Sequence, residues 1–194
     1  MRGFINVCLA QKGVTFLLNE IQEDLKVAMA CVSGRPVWVK ISRFILKPGI
    51  WAVLGYRLGR RLYLYRNLPS RFVLALYMFL VLVPLKLITG IEIYPETKIG
   101  AGFYIEHYGT IFIAPTTSIG RNCTIFQGVT IGADLGGHKA GVIGDNVIIG
   151  AGAKVIGDIV VGNNVIIGAN SVVTRDVEAN VVVAGAPAVV IRRR

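Results

Sequence analysis

Beyond residue 90 an aliphatic side chain recurs at every sixth position. Ile99, Ile105 and Ile111 form one series, Ile113, Ile119, Ile125 and Ile131 a second, and Ile143, Ile149, Val155, Val161, Ile167 and Val173 a third. Glycine often follows directly, at Gly100, Gly120, Gly132, Gly144, Gly150, Gly162 and Gly168. An α-helix, with about 3.6 residues per turn, scatters such positions around its circumference. A hairpin-connected sandwich would instead show alternating strands with turns at uneven intervals. Short strands joined by tight corners keep the period. If each hexapeptide is one strand plus a corner, three of them close a triangular coil, and stacked coils bury the sixth-position side chains in one continuous core. The pattern predicts a mainly β fold, a left-handed parallel β-helix of hexapeptide repeats. Glycine suits its corners, where a positive φ or a close backbone approach penalises a Cβ.

The period slips twice. Ile111 to Ile113 is a step of two just after His107, and the step from Ile131 to Ile143 has Gly137 at its midpoint. The second slip predicts a short loop thrown out of the coil and carrying His138; loops on rigid scaffolds tend to hold binding groups.

Before residue 90 the pattern is helical. In "NEIQEDLKVAMA" Asn19 is a candidate cap, acidic residues occupy the opening turns, and Ile21, Leu25 and Ala28 form a stripe. In "KPGIWAVLGYRLGRRLYLYR" Pro48 stands near a helix start, Trp51, Leu54, Leu58 and Leu62 follow at helical spacing, and the opposite face is rich in arginine. Phe72 to Leu85 is an apolar run of 14 residues broken by Pro84 and followed by Lys86. A spanning helix needs roughly 20, so the run is expected in the headgroup plane rather than across a bilayer. Two regions result: residues 1–89, helical, basic and membrane-associated, and residues 90–194, the β-helix with a C-terminal tail.

Charge sharpens that division. The net charge is +10, yet no acidic residue lies between Asp24 and Glu92, whereas eight basic and eight acidic residues are balanced from Glu92 to Arg194. The cationic half, with Trp38, Trp51 and Tyr77, fits an anionic membrane surface. It carries no RRM, helix-turn-helix or RNP-like motif, so no nucleic-acid partner is expected. Cys8, Cys31 and Cys123 are widely spaced and form no CxxC or Cys/His cluster, which reads as free thiols in a reducing compartment. The N-terminus lacks the apolar stretch of a secretory signal, and a cytoplasmic protein, peripheral at the inner membrane face, is expected. His107 and His138 are the two histidines; metal-assisted hydration with three histidine ligands per site is beyond them, and no metal is expected.

"KPGIWAVLGYRLGRRLY", "TGIEIYPETKIGAGFYIEHYGTIFI", "SIGRNCTIFQGVTIG", "IGDNVIIGAGAKVIGDIVVGNNVIIGANSVV" and "VVVAGAPAVVI" together resemble the serine acetyltransferase family, and within it the exopolysaccharide O-acetyltransferases. The likeness runs from about residue 20 to residue 191. It implies a homotrimer, with pairing of trimers open, that moves an acetyl group from acetyl-CoA to a hydroxyl in clefts between subunits. The acceptor expected is a sugar or lipid-linked saccharide of exopolysaccharide assembly; the alternative is serine O-acetylation on the route to cysteine. A degenerate scaffold that only binds partners is the reading from another class, and the retained histidine motif argues against it.

The resemblance also assigns roles. The family's Asp-His pair falls on Glu106-His107, making His107 the general base that takes the acceptor's hydroxyl proton. His107 lies two residues past the inward Ile105, outside the core. Glu106 would hold the imidazole and stabilise the imidazolium. Glu92, where serine-specific members carry Asp, would contact substrate together with Glu106 and His138. Those members carry an Arg-His-Pro motif where this chain has Lys139, Ala140 and Gly141, and Lys does not replace a bidentate arginine clamp. For acetyl-CoA the likeness points to Gly132, Ala133, Ala151, Gly168 and Ala169 along a groove. Lys139, Lys154 and Arg192 to Arg194 are candidates for the phosphates by charge.

Overall fold

The computed structural model describes residues 2–30, 34–65 and 67–194, without the side chains of 2–14, 40 and 43. Cys31, Arg66 and the side chains of Cys8, Lys40 and Arg43 therefore lie outside the described residues.

Residues 91–194 wind into a prism with three sheet faces. The first face stacks Ile91–Ile93, Ile111–Ile113, Thr130–Gly132, Lys154–Ile156 and Val172–Val173. The second stacks Lys98–Ile99, Ser118–Ile119, Val142–Ile143 and Val160–Val161. The third stacks Tyr104–Ile105, Thr124–Ile125, Ile148–Ile149, Ile166–Ile167 and Val181–Gly185, and ends with Ala188–Arg193. All pairings are parallel except this last one, which turns back antiparallel. The expected tail is therefore a strand. Register places the sixth-position aliphatics in columns: Ile105 on Ile125, Ile125 on Ile149, Ile149 on Ile167. The side chains of Ile125, Ile149 and Ile167 are fully buried.

The same columns measure the slips. Ile149 to Ile167 is one regular coil of eighteen positions. Ile105 to Ile125 takes two more, in the corner that holds His107, and Ile125 to Ile149 takes six more, in the loop that holds His138.

Corner chemistry divides between two positions. The glycines that follow the aliphatics do not take positive φ; they permit close approach, since a Cβ on Gly100 would stand 2.7 Å from the Gly120 carbonyl oxygen. The left-handed residue comes two positions later and is often asparagine: Asn122, Asn146 and Asn164 have φ of 54°, 57° and 58°, and Asn180, in the matching place two after Glu178, has 61°. Asparagine tolerates this region because its amide can bond locally. Here the four form a ladder, each side-chain amide donating to the next carbonyl oxygen at 3.4, 3.1 and 2.8 Å.

The helical region comprises α1 (Arg2–Ala30), α2 (Val37–Leu46), α3 (Pro48–Leu64), α4 (Leu68–Tyr77) and α5 (Val83–Thr89), with a π-turn, Met78–Leu82, joining the last two. α1 runs straight through Asn19, which caps nothing. α3 starts at Pro48 as expected, but its buried face is not the Trp51/Leu54/Leu58/Leu62 stripe. It is Gly49, Ile50, Ala52, Val53, Gly55, Tyr56, Arg57 and Gly59, while Trp51 and Leu58 remain exposed. The reason is proximity: a Cβ on Gly49 would lie 2.7 Å from the Ile105 carbonyl oxygen, and one on Gly55 would lie 2.7 Å from Leu85. Small residues let α3 lie against both the coil and α5. Ala52, Val53 and Tyr56 join the β-helix core cluster, so the two regions share one core.

α3 also closes an exposed edge. The first coil has no coil above it to take its upward backbone groups, which must find other partners. The Tyr56 hydroxyl donates to Thr97 O at 2.7 Å, Arg57 donates to Ile99 O and Gly100 O at 2.6 Å each, and Arg60 donates to Pro95 O and Glu96 O at 3.0 Å each. Asp24 of α1 accepts from Phe103 N at 2.8 Å and holds Arg57 through two bonds of 2.8 and 3.1 Å. Arg57 is buried. The arginine-rich face is thus, at Arg57, part of the interior.

Candidate active site

His107 stands in the lengthened corner between the third and first faces. That corner contains two left-handed residues, Gly109 at φ 108° and Thr110 at φ 53°. A positive φ at a β-branched residue is strained, and such strain persists where surroundings over-determine it, often at functional sites. The corner is held by Ile111 N donating to Gly90 O and Gly128 N donating to Gly109 O, both at 2.9 Å. The imidazole projects outward, exposed, with Phe126 of the next coil beneath it at 6.1 Å between ring centroids. Among the described residues no hydrogen bond reaches the ring.

Glu106 turns elsewhere. Its carboxylate accepts from Lys47 Nζ at 3.0 Å, and Lys47 also donates to the Tyr104 hydroxyl. Lys47 lies 5.0 Å from the centroid of the Tyr104 ring. Burial works to raise the Glu106 carboxyl, but hydrogen bonds from Lys47 and Tyr104, with the charges of Lys47 and His107, hold it below its ordinary value. Within one chain the expected Glu106-His107 hydrogen bond is therefore not formed. Glu92 is held in the same style. It pairs with Lys86 at 2.7 Å and accepts from Tyr94 at 2.6 Å, and these bonds outweigh burial to keep its carboxyl low.

Below His107 the same corner repeats with small side chains. Gly152 N donates to Gln127 O and Asn170 N to Ala151 O, both at 2.8 Å, so Gln127, Ala151 and Ala169 stack in one column of this edge, while Phe126, under the imidazole, stacks on Gly150 and Gly168 beside it. Coils are about 4.8 Å apart, so the edge from His107 down to the Ala169 coil runs about 14 Å. Gly168 is committed to the fold itself: a Cβ there would meet Ala184 Cβ at 3.0 Å.

The other candidates lie on a different edge of the prism, between the first and second faces. Gly132 ends a first-face strand, and a Cβ there would find only Phe112 at 3.8 Å. Ala133 opens the extruded loop, residues 133–141, tied at its base by Ala140 N donating to Thr116 Oγ1 at 3.0 Å. Asp134 to Lys139, His138 included, are exposed. Lys139 reaches Asp158 at 3.7 Å. One chain does not bring this edge to His107. Lys154, a phosphate candidate by charge, instead donates to Gly128 O at 2.6 Å and Thr130 Oγ1 at 3.0 Å, bracing the first face. Arg193 pairs with Glu178 at 2.9 Å.

Lys47, Tyr104 and Phe126 were missed as site residues by sequence reasoning. Each lies inside a quoted motif, but only folding brings residue 47 beside residue 106. Cys123 is free and buried, and burial pushes its thiol up to about 11, which leaves it inert. Among the described residues no group of three His, Cys, Asp or Glu is clustered as a metal site.

A parallel β-helix of hexapeptides with an exposed imidazole on a strained corner defines a hexapeptide-repeat acyltransferase. Residues 141–175 match the family model described as bacterial transferase hexapeptide (six repeats). The serine acetyltransferase of Mycobacterium tuberculosis is 34% identical over 177 residues, covering 90% of this chain and 73% of that enzyme. The solved serine acetyltransferase of Neisseria gonorrhoeae in complex with serine superposes with a TM-score of 0.78 at 29% identity, over 94% of this chain and 72% of that one. A serine acetyltransferase solved in complex with CoA gives 0.74 at 28% identity, over 90% and 69%. The chain belongs to the serine acetyltransferase family and is an acetyltransferase. The expected likeness to exopolysaccharide enzymes gains no support from these relatives, which are named for serine.

Proposed function

We propose that the chain transfers the acetyl group of acetyl-CoA to the hydroxyl of serine, with His107 as general base. The observation that carries this is the exposed His107 imidazole at the head of a prism edge whose lower corners carry Ala151 and Ala169 as a column of small residues. The pantetheine arm of CoA would lie along that column, its thioester beside the ring. The hydroxyl oxygen attacks the thioester carbon while its proton passes to the imidazole. The tetrahedral intermediate then expels the CoA sulfur, the imidazolium returns the proton to it, and O-acetylserine and CoA leave. Glu106, kept ionised by Lys47, places a fixed negative charge beside the base in the chain.

The edge carrying Gly132, Ala133, His138 and Lys139 completes this site only if a second copy presents it to the first copy's His107 column. A trimer with three such seams is the assembly that supports the reading. Lys139 and His138 would then meet the serine carboxylate, and Glu92 its amino group.

A second reading keeps the chemistry and changes the acceptor to a saccharide hydroxyl. It is favoured by one feature: loop 133–141 contains no arginine, so a carboxylate finds no bidentate clamp there. CoA thiol release from acetyl-CoA, measured with serine and with nucleotide-linked or lipid-linked sugars, separates the two. Release with serine supports the first; release only with a sugar replaces it by the second. His107→Ala should lower either release by about a hundredfold or more, and an undiminished rate would remove His107 from the mechanism.

A further inference from the structure

We infer that the continuous helix Leu68–Thr89 is a docking surface for an anionic lipid bilayer and lies in its plane. Its 22 residues extend about 33 Å. Pro84 does not break it: the π-turn at Met78–Leu82 absorbs the lost hydrogen bond, with Val83 N donating to Met78 O. None of residues 68–88 is buried. Leu68, Phe72, Leu76, Phe79, Val83 and Leu87 follow one another at helical spacing, and Phe72, Phe79 and Leu87 are 72%, 70% and 77% exposed. A soluble surface helix carries polar residues on such a face.

The opposite side of the helix is fixed to α3. The Tyr77 hydroxyl donates to Gly55 O at 3.0 Å, and Leu82 and Leu85 close on Gly59 and Gly55. Tyr77, expected at a membrane, thus faces inward. At its end Gly90, with φ 65°, leads directly into the first strand. Crossing a bilayer would require the helix to leave α3 over its whole length; lying on one leaves every one of these contacts intact.

Charge selects the occupant. Residues 25–91 contain no Asp or Glu, while Arg71 and Lys86 stand exposed near the two ends of the helix. Lys86 pairs with Glu92, the first carboxylate after the segment. Two copies meeting through this face would set cationic surface against cationic surface with no carboxylate of the segment to compensate. An anionic headgroup layer supplies the missing charge and the acyl boundary takes the aromatic and aliphatic side chains.

The full chain is tested by co-sedimentation with phosphatidylcholine vesicles with and without phosphatidylglycerol. We expect pelleting at least about tenfold stronger on the anionic vesicles and weakened by high salt. Phe79→Glu and Leu87→Glu, each at an exposed position, should each reduce it about tenfold or more while CoA release in solution is unchanged. Equal binding to both vesicles, or none to the anionic ones, overturns the proposal. So does either variant changing the oligomeric state in sedimentation velocity with lipid binding unaltered, which would make the face a contact between copies.

Discussion

Lys47 connects the helical region to the candidate base. It precedes Pro48 at the start of α3, and its ammonium reaches the carboxylate beside His107 at 3.0 Å. Because the folded Glu106 carboxyl is held below its ordinary 4.5, the pair stabilises the fold above that value. The contribution is lost as pH falls through the lower, folded value. Lys47→Met leaves burial to push the carboxyl up. The stability difference between wild type and variant, read by urea unfolding, should be present at neutral pH and shrink as pH falls below 4.5; a difference constant with pH would leave the pair without this role. Arg57 is the second residue at which one change has a large effect. Arg57→Met leaves Asp24 buried without its cation and removes donors from Ile99 O and Gly100 O. A loss of about 3–5 kcal/mol in unfolding free energy is expected. The sequence alone does not reveal this, since an arginine among arginines on a helix reads as a solvated face.

At the scale of elements, the repeat was legible because every sixth side chain is buried in a column, a constraint that writes itself directly into the chain. The slips were legible for the same reason, and both proved to be lengthened corners. α3 was misread because its packing is governed by close approach rather than by bulk. Gly49 and Ala52 let the helix settle on the coil, and a search for large aliphatics finds the face that is left over. The two halves of the site were legible only as residue types: nothing in the spacing says that Ala169 lies on the same edge as His107 or that Gly132 lies on another. The column makes its own prediction. Ala169 is exposed, at a corner whose backbone already packs, so Ala169→Leu should preserve folding. It should raise KM for acetyl-CoA several-fold with kcat less affected, as steady-state kinetics would show; an unchanged KM would move the coenzyme off this edge.

For the whole molecule, the prism is finished differently at its two ends. At the first coil Tyr56, Arg57, Arg60 and Asp24 satisfy the upward backbone groups. At the last, Ala188–Arg193 folds back antiparallel on Val181–Gly185 and presents Arg192 and Arg193 outward. A parallel stack with bare termini would be self-templating, because the bottom rung of one molecule fits the top rung of the next. Here the helices occupy the first end and the antiparallel return covers the third face at the last, so a further parallel rung is disfavoured at both. Ending the chain after Gly185 would uncover the lower rung. Such a protein should elongate end to end, with light scattering that rises with concentration and time where the intact chain stays flat.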